Sequence, residues 1–248
     1  MSAPVFRDGL LQGQVALVIG GTGAIGAAIA DALAACGAVV TVTGATAEEA
    51  EATKARRDFR GRDALVLDLR DAATIEALIA NLPRLDIVVN AAGVIRRDAE
   101  HDPAVFAEVV DINLTGAMRL CTSARPLLAK SKGCIVNVTS MLAYFGGARV
   151  PGYCASKGGL GQLTKSLAIA YALDKIRVNA VAPGWIATRL TQALQDDNER
   201  SAAILARTPL GRWGVPEDIA GAVVFLCSPA ADFITGAVIP VDGGYLAA

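Results

Sequence analysis

The feature that most constrains this chain is the alternation, end to end, of short β-branched runs with Ala-rich helical stretches. Residues 15–19, 39–43, 64–67, 87–89, 135–138, 177–182 and 238–241 read as strands. Amphipathic segments lie between them, at 27–36, 103–129, 157–172 and 216–226 among others. Alternation of this kind predicts right-handed βαβ crossovers and an α/β fold with a mainly parallel sheet flanked by helices. Composition agrees, with 53% of residues hydrophobic and only 19% charged. Strands covered on both faces become continuous apolar runs, which raises the apolar fraction. No linker, charge block or internal repeat divides the 248 residues, so one domain over 1–248 is expected. Segment 188–214 interrupts the rhythm with Asp196, Asp197, Glu199 and Arg200. A long excursion between two core elements is often a lid over a site.

A formal net charge of −1 leaves no electrostatic footprint for nucleic acid or an anionic membrane. No apolar run approaches the roughly 18 residues that a membrane span needs, and residues 1–13 lack the pattern of a signal peptide. A cytoplasmic location is expected. The five cysteines (Cys36, Cys121, Cys134, Cys154 and Cys227) have no C-x-x-C spacing and read as reduced thiols, mostly buried. The one histidine, His101, cannot build a zinc site alone, and no metal is expected.

The first strand runs directly into Gly20-Gly21-Thr22-Gly23-Ala24-Ile25-Gly26 and then an Ala-rich helix. Glycines there permit a tight turn and close approach of the backbone to a pyrophosphate, with free helix N–H groups beyond it. The second strand ends Val42-Thr43-Gly44-Ala45-Thr46 without the acidic residue that usually binds the adenosine ribose. Lack of the acid favours a 2′-phosphate. Yet the first cation, Lys54, comes some ten residues later, leaving the hydroxyls of Thr43 and Thr46 to substitute. NAD and NADP both remain open. Asp68-Leu69, closing the third strand, is placed either to touch adenine or to cap a helix.

Tyr153-Cys154-Ala155-Ser156-Lys157 is the most informative stretch. On a helix, Tyr153 and Lys157 share one face at i, i+4. A phenol with a pKa of about 10 is a poor base. An adjacent ammonium and a positive nicotinamide ring would favour the phenolate. Ser140 follows a strand end 13 residues earlier, at the carboxyl edge where open α/β sheets bind ligands. Asn90-Ala91-Ala92-Gly93 closes the fourth strand in the same way, Asn113 lies in Asp111-Ile112-Asn113-Leu114-Thr115-Gly116, and Pro183-Gly184-Trp185-Ile186-Ala187-Thr188 closes another strand.

Taken in order from the glycine loop to Asp242-Gly243-Gly244, these motifs resemble the short-chain dehydrogenase/reductase family over nearly the whole chain. Three positions depart from its pattern: Ile19 stands for the threonine before the glycine loop, Ala24 for the middle loop glycine, and Ala91 for the second asparagine after the fourth strand. The resemblance implies a single doubly wound Rossmann domain and hydride transfer between NAD or NADP and a secondary alcohol or ketone. It makes Tyr153 the acid/base, and gives Lys157 the nicotinamide ribose and the lowering of the tyrosine pKa. Ser140 would hold the substrate oxygen, and Asn113 a water relaying protons to Lys157. Gly20, Thr22, Gly23, Ile25, Gly26, Thr46, Asp68, Leu69, Asn90, Ala91, Gly93, Pro183, Gly184, Ile186 and Thr188 would contact the cofactor, as would Tyr153 and Lys157 themselves. A homotetramer is implied, with the helices at 103–129 and 156–172 as candidate interface elements.

Within the family, Gly93-Val94-Ile95-Arg96-Arg97, the run from Ser140 to Tyr153, Arg200-Ser201-Ala202-Ala203-Ile204-Leu205 and Gly211-Arg212-Trp213-Gly214 are similar to 2-deoxy-gluconate (2-keto-3-deoxy-gluconate) 3-dehydrogenases. Arg149 and Arg96 are candidates to pair with a sugar-acid carboxylate, which suits a guanidinium fork. Trp185 and Trp213 are candidate pocket walls. The alternatives are a 3-oxoacyl thioester reductase, a broad ketoreductase and, more distantly, a cofactor-sensing protein without turnover.

Overall fold

The computed structural model describes residues 6–61 and 63–248. The segment read for a signal peptide, 1–13, falls in part on residues 1–5, outside the described residues. The chain runs β1 (Val15–Ile19), α1 (Ala24–Ala35), β2 (Val39–Gly44), α2 (Ala47–Lys54), β3 (Asp63–Val66), α3 (Ala72–Ala80), β4 (Ile87–Asn90), α4 (Pro103–Val110), α5 (Gly116–Ser131) and β5 (Cys134–Val138). It continues with α6 (Pro151–Ala170), β6 (Arg177–Pro183), α7 (Gln192–Gln195), α8 (Asn198–Ala206), α9 (Pro216–Cys227) and β7 (Val238–Val241).

The seven strands form one wholly parallel sheet in the order β3-β2-β1-β4-β5-β6-β7. The chain winds outward from β1 to β3, then returns to β4 on the other side of β1. That reversal opens a crevice beyond the carboxyl ends of β1 and β4, where such folds bind ligands. Register lines up the edge: Ile19 pairs with Thr43 and Asn90, and Asn90 with Asn137. Side chains alternate between two cores. Ala16 and Val18 pack with Ile29, Leu33, Val223 and Val224 of α1 and α9 on one face. Leu17 and Ile19 pack with Ile75, Leu120, Leu128 and Leu167 of α3, α5 and α6 on the other.

Three local readings change. Asp68 caps no helix; Asp71 caps α3, accepting from the N–H groups of Ala73 (2.9 Å) and Thr74 (3.2 Å). The expected helix over 103–129 is divided by a π-helical turn at Asp111–Thr115 that carries Asn113. Such turns accommodate an extra residue and often mark functional positions. Helix α6 begins at Pro151 rather than 157, because Pro151 sits in the first turn, where its missing N–H costs nothing. Tyr153 and Lys157 therefore both stand in the regular helix.

Candidate active site

The glycine loop leaves β1 at Gly20, whose φ of +73° is open to glycine and strained for other residues. A side chain there would also meet Ala92 Cα at 2.7 Å. At Gly26 a Cβ would come within 2.2 Å of the Gly20 carbonyl, so this glycine lets α1 close against the loop. The loop forms the floor of a cavity of about 440 Å³ that also reaches Thr22, Gly23, Thr46, Asp68, Leu69, Ala91 and Gly93. A second cavity of about 570 Å³ is walled by Ile25, Ser140, Arg149, Tyr153, Lys157, Pro183, Gly184, Ile186 and Thr188. Ala91, Gly93 and Val94 border both cavities, so an elongated ligand can run from one into the other. This joined cleft, with a glycine cradle at one end, fits a dinucleotide. Gly26, Asn90 and Asn113, expected as contacts, lie beneath the walls rather than in them. The Oδ1 of Asn90 is buried without a hydrogen-bond partner among the described residues.

The side chains expected to be catalytic lie close together in this second cavity, with Asn113 beneath its wall. Lys157, 3% exposed, donates to the Val138 carbonyl at 2.8 Å, and its ammonium lies 5.6 Å from the Tyr153 ring centroid. Burial pushes Lys157 down to about 8 and the Tyr153 phenol up to about 12, with a hydrogen bond to Ser140 opposing the latter. The phenol therefore keeps its proton at neutral pH in the protein alone; desolvation outweighs the lowering expected from the lysine. Ser140 Oγ accepts from Leu142 N at 3.1 Å. Asn113 ties three segments together: its Oδ1 accepts from Val94 N (2.8 Å), and its Nδ2 donates to Val94 O (2.9 Å) and Ser156 Oγ (3.1 Å).

At the adenosine end the hydroxyls expected to grip a phosphate already serve the backbone. Thr43 Oγ1 accepts from Gly20 N at 3.4 Å, and Thr46 caps α2 through Glu49 N at 3.2 Å. The end of β2, read as lacking an acid, receives one from the helix beyond. Glu49 Oε2 accepts from Ala45 N at 2.8 Å. The Thr-x-x-Glu capping pattern was the signal for this, since it folds the side chain back.

The substrate side differs in its arginines. Arg96 is turned to the adenosine cavity and pairs with Glu108 at 3.3 Å. Arg149 lines the second cavity but is held by Asp98. Arg97 lines that cavity half-buried, with no ion pair or side-chain hydrogen bond among the described residues. Arg200, paired with Asp197 at 3.2 Å, reaches the cavity from the excursion after β6, as do Leu190, Thr191 and Leu194. Trp185 joins the wall, while Trp213 packs edge-on behind it at 6.0 Å and donates to Ser201 Oγ. The pairing of residues is also clear at Glu100, which sequence reasoning missed. It is 1% exposed and accepts from the N–H groups of Arg96 and Tyr153, each at 2.7 Å.

Residues 20–246 match a family model described as Enoyl-(Acyl carrier protein) reductase. A 2-dehydro-3-deoxy-D-gluconate 5-dehydrogenase from Pseudoalteromonas atlantica is 43% identical over 247 residues, covering 95% of this chain and 97% of its own. The enzyme of the same name from Escherichia coli K12 is 40% identical, covering 96% and 97%. Among solved structures, a gluconate 5-dehydrogenase from Burkholderia cenocepacia J2315, in complex with NADP and tartrate, superposes with a TM-score of 0.90. It is 32% identical, and the match covers 97% of this chain and 98% of that one. The parallel sheet, the glycine cradle and the Ser140–Tyr153–Lys157 cluster have the same explanation as these matches: the chain belongs to the short-chain dehydrogenase/reductase family.

Proposed function

We propose that this oxidoreductase moves a hydride between a nicotinamide dinucleotide and the carbinol or carbonyl carbon of a sugar acid, 2-dehydro-3-deoxy-gluconate or a close analogue. One observation carries the reading. The catalytic cavity is walled by Arg97, Arg149, Arg200 and Lys157 and, among the described residues, by no carboxylate. A substrate carboxylate is the group that such a wall accommodates best, and a guanidinium holds it through paired N–H bonds. Arg97 is foremost because it has no close ion pair among the described residues and only Asp98 nearby to balance it; Arg149 serves a substrate only by leaving Asp98. The naming of the two bacterial relatives and the tartrate held by the Burkholderia structure support the same class.

When bound, the nicotinamide ring supplies or takes the hydride, and in its oxidised form adds a positive charge to the pocket. This chain supplies the rest. Tyr153 Oη gives a proton to the substrate oxygen in reduction and takes one in oxidation. Ser140 hydrogen-bonds that oxygen, stabilising negative charge as it develops. The Lys157 ammonium favours the phenolate across the tyrosine ring, and Asn113 holds the loop at Val94 against α6 beside it. The 188–214 excursion serves as the substrate cover. We place the reaction in a reducing, cytoplasmic setting, consistent with five free thiols. A homotetramer is supported by exposed Ile169 (80%), Leu173 (91%) and Phe233 (105%), and light scattering that finds only monomer at micromolar concentration would exclude it.

Initial rates against sugar acids, their neutral analogues and 3-oxoacyl thioesters test the substrate. Sugar acids are expected to give the highest kcat/KM. Arg97→Met should lower it about 10- to 150-fold for the acids, the worth of a charged hydrogen bond, and spare neutral ketones. Higher kcat/KM for a thioester or a neutral ketone would overturn the reading.

A further inference from the structure

The charged side chains around the adenosine-side cavity are Glu49, Asp68, Glu108, Arg70 and Arg96. Four of them neutralise each other in pairs: Arg70 grips Asp68 at 2.7 Å, and Arg96 meets Glu108 at 3.3 Å. Lys54, the first cation after β2, is engaged by Glu51 and Asp63, each at 3.3 Å. Glu49 has no cation partner among the described residues. Its Oε2 instead accepts from two neutral donors, Ala45 N at 2.8 Å and Thr22 Oγ1 at 3.3 Å. A Cβ placed on Gly44 would stand 2.9 Å from that oxygen and 2.7 Å from Thr22 Cγ2. The carboxylate thus lies directly over the end of β2, against the glycine loop.

We propose that Glu49 selects the cofactor, accepting a ribose hydroxyl and excluding a 2′-phosphate, so that this chain prefers NAD(H) to NADP(H). A carboxylate can only accept, so it welcomes a hydroxyl that donates. A phosphate ester offers it acceptors and a like charge of nearly two units, and among the described residues lining this end each guanidinium already has a carboxylate partner. The competing role is purely local. Thr46 and Glu49 form the reciprocal pattern of a helix cap, although Glu49 reaches Ala45 N rather than the N–H of Thr46 itself. A cap stabilises the loop for either cofactor and does not discriminate between them. The proposal rests on the dinucleotide reading of the cleft.

Fluorescence titration of NADH and NADPH into the full-length protein separates the possibilities without using turnover. The parent should bind NADH on the order of 10- to 100-fold more tightly than NADPH, the scale of one like-charge contact near the surface. Raising ionic strength should shrink that ratio, because the repulsion is screened. Glu49→Gln keeps the length and one acceptor oxygen, so it should tighten NADPH about tenfold or more while loosening NADH much less. Equal or tighter NADPH binding by the parent, or a ratio indifferent to salt, overturns the proposal. An equal change for both cofactors in Glu49→Gln does so too, leaving Glu49 as a cap. The parent's salt dependence stands even if the variant fails to fold. Failure to bind either cofactor would remove the dinucleotide reading itself.

Discussion

The two ends of the cleft handle charge in opposite ways. At the adenosine end, three carboxylates face two guanidiniums, and each guanidinium has a carboxylate of its own. At the catalytic end, three arginines and Lys157 stand in a wall that has no carboxylate among the described residues; Arg149 and Arg200 are paired from behind by Asp98 and Asp197, while Lys157 and Arg97 have no ion pair among those residues. The first end suits neutral donors, and the second suits an anion. The difference teaches that one sheet edge is divided functionally at β4, where Ala91 and Gly93 border both cavities. Substitutions on either side should therefore separate cofactor affinity from turnover.

The sharpest break is expected from Tyr153→Phe. Loss of a general acid/base typically costs 10²- to 10⁴-fold in rate. Tyr153 borders the catalytic cavity and not the adenosine one, so NADH affinity should stay within about twofold, a change of under half a kcal/mol. Steady-state kcat and a parallel fluorescence titration check both halves of that statement. Turnover within about threefold of the parent would remove Tyr153 from the chemistry, since general acid/base groups are worth far more.

The unmatched charge at the catalytic end should also be visible in stability. Lys157 is almost fully buried, and burial lowers its pKa to about 8, against about 10.4 in an unfolded chain. A depressed folded-state pKa contributes stability that is complete above the unfolded value and lost as pH falls toward the folded one. Below about pH 8 the protein carries the full penalty, about 3 kcal/mol for such a shift. Lys157→Met should therefore unfold at a higher temperature than the parent at pH 7, less the lost bond to Val138, worth about 1 kcal/mol. The gap should narrow between pH 8 and 10 and be measured below pH 10, before tyrosines ionise in the unfolded chain. A gap constant with pH would show that the buried ammonium costs nothing. The same variant is expected to lose turnover, which would make Lys157 a residue retained for function against stability.

The adenosine end and the sheet were the more legible in sequence because they follow from contiguous patterns. Apolar runs gave the seven strands to within a residue or so at each end, and Gly20 to Gly26 followed β1 without a gap. Tyr153 and Lys157 were legible because a helix enforces their spacing. What escaped depends on how loops lie in space. Arg96 and Arg97 are adjacent in sequence, and the turn after β4 sends one to each cavity. Arg149 looked available until folding brought Asp98 to it. Glu100 was hidden for the same reason, since it acts on backbone N–H groups that no pattern of side chains announces; at Glu49 the Thr-x-x-Glu pattern signalled that the side chain folds back, but not that it would reach Ala45 N.

Glu100 gives the smallest and most discriminating test, because it joins the parts that only the catalytic end needs to assemble. Its two oxygens hold the N–H of Arg96, next to Arg97, and the N–H of Tyr153 in the first turn of α6. A Cβ on Gly152 would lie 3.3 Å from Oε2, so the carboxylate sits close against the helix start. Glu100→Gln preserves the shape but leaves one acceptor oxygen for two donors, and turns an amide N–H₂ toward the other. Losing a charged hydrogen bond inside the protein costs about 1–3 kcal/mol, and in a domain of this size each kcal/mol moves the midpoint roughly 2–4 °C. Catalysis should suffer less than from Tyr153→Phe, by roughly tenfold at most, since Tyr153 is displaced rather than removed. The loss should fall on kcat equally for sugar acids and neutral ketones, with NADH affinity unchanged, because Glu100 acts through the backbone of both segments. Loss confined to sugar acids would instead mean that it acts through Arg97 alone. Weakened NADH binding would mean that the two ends of the cleft are not separable at β4, and the division drawn between them would fail.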